Sequence, residues 1–347
     1  MSQVARAYHI EHYGTIDGIR IRQHDRPRPG VDQVLVRVRA NALNYRDLLV
    51  MRGIPVGADL PPGRVPLSDG AGEVVEVGEN VTRVRVGERV AAIFRQDWID
   101  GDYRHEGAQT DLGSGIDGML AEFVVLDEQG LVRLPSHLSY EEGATLPTAG
   151  VTAWMAIVGK GRVTVGDTVV LQGSGGVAVF ALQFAKRLGA RVIMTTSSAE
   201  KGERLSALGA DEIVNYKACP DWADEVLRLT DGRGADVVVD SGGGGTLANS
   251  CAAARIGGRL ILMGLLAQGE EAGTVSELFY TMFVRDLTVV SVHAGSRTNF
   301  EAMNRAIEQH GLRPIIGERF PFGRAPDAYR YLQSQTHLGK VVIGHDG

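Results

Sequence analysis

Between Thr168 and Leu188 a short run with an apolar centre, Thr168-Val169-Val170-Leu171-Gln172, enters a glycine turn, Gly173-Ser174-Gly175-Gly176-Val177-Ala178. After it Val177, Phe180, Ala181, Phe184 and Leu188 recur at helical spacing. A short apolar strand that turns on glycines into an amphipathic helix opens a parallel, doubly wound α/β sheet, and five further strand candidates follow. They lie at Arg191–Thr195, Glu212–Val214, Asp236–Val239, Arg259–Met263 and Leu287–Val292, with helical patterns in the gaps. The turn also matches a dinucleotide fingerprint, with Ala178 in the third small position. Gly173 permits the tight turn, Gly175 lets backbone approach a pyrophosphate, and the N–H groups and positive dipole end at Ser174–Ala178 face the phosphates.

The end of the second strand separates the two nicotinamide cofactors. A carboxylate there accepts both ribose hydroxyls of NADH and repels a 2′-phosphate. This chain has Thr195-Thr196-Ser197-Ser198, with Lys201 three residues on and Arg204 one turn later. Hydroxyls and cations favour NADPH, although Lys201 and Arg204 also read as an ordinary solvated helix face.

The first 135 or so residues differ in rhythm. Val34, Val36 and Val38 alternate with Leu35, Arg37 and Arg39, and short runs at Gly18–Arg22, Glu73–Val77, Arg89–Ile93 and Ala121–Leu126 are set off by turn signals such as Pro61-Pro62-Gly63. A compact, irregular β domain is expected. The polar, glycine-rich stretch Phe94–Gly118 reads as an exposed excursion. Ser139 with Glu142 forms a capping box opening a helix that runs toward Val158, and the last strand is expected at Lys340–Ile343. The expected division is residues 138–296 for the nucleotide domain and residues 1–137 with 297–347 for the other.

At 347 residues the chain is long enough for two such domains, and its formal charge of −6 offers no field for gripping nucleic acid. The longest nearly apolar stretch, Ala149–Gly159, is too short to cross a bilayer, and the opening MSQVARAYHI has no signal-type apolar run. No nucleic-acid or membrane partner is expected, and the expected compartment is the cytoplasm. Cys219 and Cys251 are the two cysteines, too few and too far apart for a thiolate metal site.

With these residues in view, the chain resembles a medium-chain dehydrogenase/reductase, and within that superfamily the zinc-free quinone oxidoreductase and alcohol dehydrogenase-like group. The segment Asn41-Ala42-Leu43-Asn44-Tyr45-Arg46-Asp47 resembles the stretch carrying the first catalytic-zinc cysteine in zinc alcohol dehydrogenases, with Asn44 at the cysteine position. Ser68-Asp69-Gly70-Ala71-Gly72-Glu73-Val74 resembles their His-Glu-x-x-Gly-x-Val signature, with Ser68 at the histidine position. No cysteine precedes Cys219, so the third ligand and the four-cysteine lobe lack counterparts. The resemblance implies a GroES-like catalytic domain beside a Rossmann domain, and NADPH passing a hydride, without metal, to a quinone or α,β-unsaturated carbonyl. A metal-free NADP-dependent alcohol or aldehyde dehydrogenase and a crystallin-like protein that binds NADPH without turnover remain alternatives.

The resemblance further implies that Ser198, Lys201 and Tyr216 surround the adenosine 2′-phosphate. It sets Thr152 near the nicotinamide, Gly264, Leu265 and His293 at strand ends that receive the carboxamide, and Lys340, in Gly339-Lys340, near the cofactor. On the substrate side Asn44 reads either as a donor to the substrate carbonyl or as a helix cap. Tyr45 reads as a proton donor or a locally satisfied aromatic. Asp47 reads as a catalytic carboxylate or one that pairs with a cation and shapes the cleft. A small-molecule substrate and a homodimer paired along the Leu287–Val292 strand complete the expectations.

Overall fold

The computed structural model describes residues 4–56, 58, 60–264, 266 and 274–345. It divides into two compact units, Met1–Val151 with Ala294–Gly347, and Thr152–His293. The β-rich unit thus extends beyond the expected boundary at 137. Ser139 accepts from the Glu142 N–H at 3.1 Å while Glu142 accepts from the Ser139 N–H at 2.7 Å, so the capping box forms. The helix it opens, Tyr140–Ala144, packs on the strands Gln33–Leu43 and Asp69–Val77 and so joins their unit. Instead of one regular helix to Val158, the chain widens into π-type turns at Leu146–Gly150 and Met155–Gly159.

In the β-rich unit an antiparallel pair, Val4–Ile10 with Ile19–Asp25, accompanies a seven-stranded mixed sheet. Gln33–Leu43 is the organising strand. It pairs antiparallel with Asp69–Val77, with Phe123–Asp127 and with Lys340–Gly344, the C-terminal strand. One core gathers Val34, Val36, Val38, Val74, Val90 and Leu131, as the alternation in sequence requires. A second gathers Leu43, Leu48, Met51, Phe322, Tyr329 and Val341, and fastens the helix Tyr45–Met51 to the C-terminal segment. The Phe94–Gly118 stretch is exposed as expected over its middle, at Asp100–Asp102 and Arg104–Glu106, and differs at its ends. Arg95 and Asp111 are buried, joined by a two-pronged ion pair at 2.7 and 3.2 Å, and Ser114 and Leu112 are fully buried. Its polar composition conceals charges that satisfy one another inside.

The second unit is a six-stranded, all-parallel sheet with strands ordered third, second, first, fourth, fifth, sixth along the chain. Val170, Ile193, Val238 and Leu260 are fully buried, which matches the continuous apolar strands. The order reverses between Thr168–Gln172 and Ala235–Asp240, and at such a switch point doubly wound sheets bind nucleotides.

Candidate functional site

On the nucleotide side, Thr168–Gln172 ends in Gly173 at φ +81°, a left-handed conformation that an L side chain resists. Its N–H donates to Thr195 O at 2.9 Å, which ties the turn to the second strand. Gly175 then caps the helix Gly176–Arg187, and Ser174, Gly176, Val177 and Ala178 occupy the turn and first helical positions. Phosphate-seeking N–H groups and the positive end of the helix dipole meet there.

Gln172 and Asp240, not anticipated from sequence, fix the two strand ends at the switch point. The Gln172 amide donates to Asp240 Oδ2 at 3.2 Å and to Ser250 Oγ at 2.8 Å, and its oxygen accepts from the N–H groups of Ser241 and Gly242 at 3.0 and 3.2 Å. Asp240, fully buried, also accepts from the Gly243 N–H at 2.7 Å and from the Thr246 hydroxyl. A sequence pattern does not reveal the pair because 68 residues separate them. At Gly264 a Cβ would lie 2.4 Å from Ser241 O, so the backbone is free to run close to this loop only as glycine. Leu265 lies outside the described residues.

At the end of the second strand Ser198 Oγ accepts from the Lys201 N–H at 3.3 Å, so the hydroxyl caps the helix Ala199–Ala207. Lys201 is half-buried. Burial holds its ammonium below the usual lysine range, and the neighbouring cations Arg204 and Lys217 push the same way. Tyr216 is 41% exposed, and its N–H donates to Thr196 O at 3.1 Å. The structure thus gathers Ser198, Lys201 and Tyr216 at one strand end, with surplus positive charge and no carboxylate at Thr195–Ser198. Thr152 is buried, and His293, the last residue of the unit in sequence, is exposed.

The catalytic candidates converge within the β-rich unit. As Gln33–Leu43 ends, Asn44 adopts extended backbone and starts the helix Tyr45–Met51. Asp47 reaches back to accept from the Asn44 N–H at 2.7 Å, half of a capping box. The Asn44 side chain turns elsewhere: Nδ2 donates to Ser68 Oγ at 3.4 Å, and Oδ1 accepts from the Lys340 ammonium at 2.6 Å. Lys340 donates also to Leu43 O at 2.7 Å and is 2% exposed, so the ammonium is bound inside this unit.

Asp69 lies 3.9 Å from that ammonium. Its carboxylate accepts from Ser68 Oγ at 2.9 Å, from Thr148 Oγ1 at 2.5 Å and from the Thr148 N–H at 3.2 Å. Burial pulls the Lys340 ammonium below its ordinary range, opposed by Asp69 and Asp47. Burial pushes the Asp47 carboxyl up to about 6, against the pull of Arg46 at 3.9 Å and of the Asn44 N–H. Arg46 is held in turn by Ser114 Oγ at 2.9 Å and by the Phe94 ring. Tyr45 packs half-buried on the second core.

A catalytic zinc needs about three nitrogen or sulfur ligands around an open position. Here Asn44 and Ser68 present an amide and a hydroxyl bonded to each other, with an ammonium 2.6 Å from the amide oxygen. No cluster of three His, Cys, Asp or Glu side chains with metal-holding geometry occurs among the described residues. The donor set does not fit zinc.

Residues 30–136 match the alcohol dehydrogenase GroES-like domain, and residues 176–309 match the zinc-binding dehydrogenase domain. A zinc-type alcohol dehydrogenase-like protein of Schizosaccharomyces pombe is 38% identical over 317 residues, 90% of this chain and 91% of that protein. The chain belongs to the medium-chain dehydrogenase/reductase superfamily. As a member of it the chain is an oxidoreductase with a nucleotide-binding dehydrogenase fold. A quinone oxidoreductase of Pseudomonas aeruginosa is 31% identical, covering 98% of this chain and 99% of that one. Among solved structures, one from Sinorhizobium meliloti 1021, assigned provisionally as an alcohol dehydrogenase, superposes with a TM-score of 0.90 at 38% identity, covering 99% of each chain. Another, described as an NAD-dependent alcohol dehydrogenase, gives 0.87 at 35% identity, covering 98% of this chain and 99% of that one. Among the described residues no helix is long and apolar enough to cross a membrane.

Proposed function

We propose that this oxidoreductase uses NADPH to reduce a conjugated carbonyl, a quinone or an α,β-unsaturated ketone, aldehyde or thioester, without zinc. The observation that carries this reading is the composition around Asn44: a neutral amide and a hydroxyl, backed by a buried ammonium, where the metal-dependent relatives need ligands. An alcohol has to lose its hydroxyl proton during oxidation, and a metal ion eases that loss. A conjugated carbonyl needs only hydrogen-bond donors for the negative charge that develops on oxygen. When bound, the reduced nicotinamide supplies a hydride to the carbon conjugated to that carbonyl. The Asn44 amide N–H donates to the carbonyl oxygen as the double-bond electrons move onto it. Tyr45 carries the hydroxyl nearest in sequence to Asn44 and is the candidate source of the proton that completes the reduction.

The cofactor preference rests on the second strand end. Arg204 and Lys217 each repel Lys201 there, and a 2′-phosphate relieves that repulsion. NADPH oxidation measured with a quinone, an enone and an aldehyde tests the reading: turnover of the first two is expected. Turnover of the aldehyde alone would favour the metal-free alcohol dehydrogenase, and tight NADPH binding without any turnover would favour the crystallin-like protein.

We propose a homodimer as well. Phe279 and Phe283, stacked 6.2 Å apart, are 69% and 72% exposed on the helix Val275–Val284, which precedes the edge strand Thr288–Ser291 in the chain. Bare aromatic rings and an open strand edge each suit a symmetric partner. Light scattering should give twice the chain mass and a monomer for Phe283→Lys; a monomeric wild type would end this proposal.

A further inference from the structure

Lys340 opens the strand Lys340–Gly344, whose Val341 stands opposite Leu43. The sheet therefore delivers its side chain to the point where Gln33–Leu43 passes into the helix Tyr45–Met51. Two of its donors are taken by Leu43 O at 2.7 Å and Asn44 Oδ1 at 2.6 Å, and the charge is balanced by Asp69 at 3.9 Å. An ammonium has donors only, so the Asn44 atom it meets has to be the carbonyl oxygen. The two ends of an asparagine amide are alike in shape and opposite in chemistry. Fixing one end fixes the other: Nδ2 faces Ser68 Oγ, whose own proton goes to Asp69 Oδ1 at 2.9 Å, and a second Nδ2–H has no acceptor among the described residues. A cation on the amide oxygen also draws electron density from nitrogen, which strengthens its N–H groups as donors.

We propose that Lys340 is a positioning residue that acts through Asn44: its buried ammonium locks the amide so that an N–H, never the carbonyl oxygen, is what Asn44 offers to a substrate carbonyl. This rests on the reading that a conjugated carbonyl is reduced. A flipped Asn44 would present its oxygen to the developing oxyanion and repel it. The lysine therefore sets the polarity of the site without touching the reacting atoms.

The test uses the full chain with NADPH and an enone. Asn44→Asp keeps a partner for Lys340 and loses both N–H groups, so kcat should fall about 100-fold with the melting temperature maintained. Lys340→Met frees the amide: kcat should fall about 10-fold while Kd for NADPH, followed by fluorescence, stays within about twofold. In the variant Asn44→Ala, adding Lys340→Met should cost nothing further, because a residue that acts through another is silent without it. Multiplicative losses overturn the proposal. So does a raised NADPH Kd with kcat restored at saturation, which is the signature of a phosphate contact. Should Lys340→Met fail to fold, Lys340→Arg keeps a buried donor on the amide oxygen and should retain kcat within about threefold with Kd for NADPH within about twofold; a raised Kd with kcat unchanged at saturation overturns the proposal. With 15N-asparagine, two sharp Asn44 Nδ2 proton signals should broaden or move when the charge at position 340 is removed. That readout is independent of turnover. A wild type that binds NADPH and reduces nothing refutes the proposed function, and Asn44 signals unmoved in the variant refute the positioning role.

Discussion

Lys201→Ala gives the sharpest view of the nucleotide side. In the free protein Lys201 is half-buried with Arg204 and Lys217 as like-charged neighbours. A 2′-phosphate placed against it would carry between one and two negative charges. Two unit charges about 4 Å apart attract by about 4 kcal/mol at an effective dielectric of about 20. Lys201 is only half-buried, so solvent screens part of this attraction, and Arg204 and Lys217 remain in the variant. The retained worth is then that of one charge-assisted hydrogen bond, about 1.5–3 kcal/mol. That converts to a rise of about 10- to 100-fold in Kd for NADPH. NADH lacks the phosphate, and its Kd should move less than about twofold. Fluorescence titration of both cofactors at two salt concentrations measures this, and the wild-type preference should shrink as salt rises. Equal weakening of NADPH and NADH would refute the phosphate role and reduce Lys201 to a structural residue.

Two further outcomes follow from the β-rich unit. Asp47 is raised in the folded state to about 6, so it binds its proton more tightly there than in the unfolded chain. Its stabilising contribution is complete below its unfolded value and is lost as pH rises through about 6, a difference of about 3 kcal/mol if the full shift is realised. Asp47→Asn should therefore gain stability relative to wild type between about pH 4 and about 6 in urea titrations and hold that gain above; an unchanged difference across that range contradicts the buried carboxyl. Arg95→Ala strands Asp111 without its buried partner and should cost about 3–5 kcal/mol by chemical denaturation, whereas Arg95→Met with Asp111→Leu should recover most of it. Equal losses in both variants would show that the pair contributes more than mutual neutralisation.

Much of the architecture is written locally and is legible as such. The glycine turn at Gly173–Ala178, the alternation at Val34–Val38 and the capping box of Ser139 with Glu142 each rest on spacings of a few residues, and each appears where those spacings require. The site is different because its bonds join distant segments. Asn44 meets Lys340 across 296 positions, and Gln172 meets Asp240 across 68, so neither partner is deducible from its neighbours. A lysine at a strand start carries no sign of its burial, so the bonds of Lys340 to Leu43 and Asn44 are legible only in the fold. Arg95 and Asp111 made Phe94–Gly118 look solvated for the related reason that composition counts charges without showing which ones neutralise each other. Ser198 was recognisable as a hydroxyl at the right strand end, and its service as a helix cap is an added role that the sequence permits equally.

The central claim is hydride transfer to a conjugated carbonyl with hydrogen bonds in place of a metal. Its direct test is NADPH oxidation by an enone before and after exhaustive chelation, with elemental analysis of the same sample. The account predicts an unchanged rate and no stoichiometric zinc. Loss of activity on chelation, restored by one equivalent of zinc per chain, would contradict it.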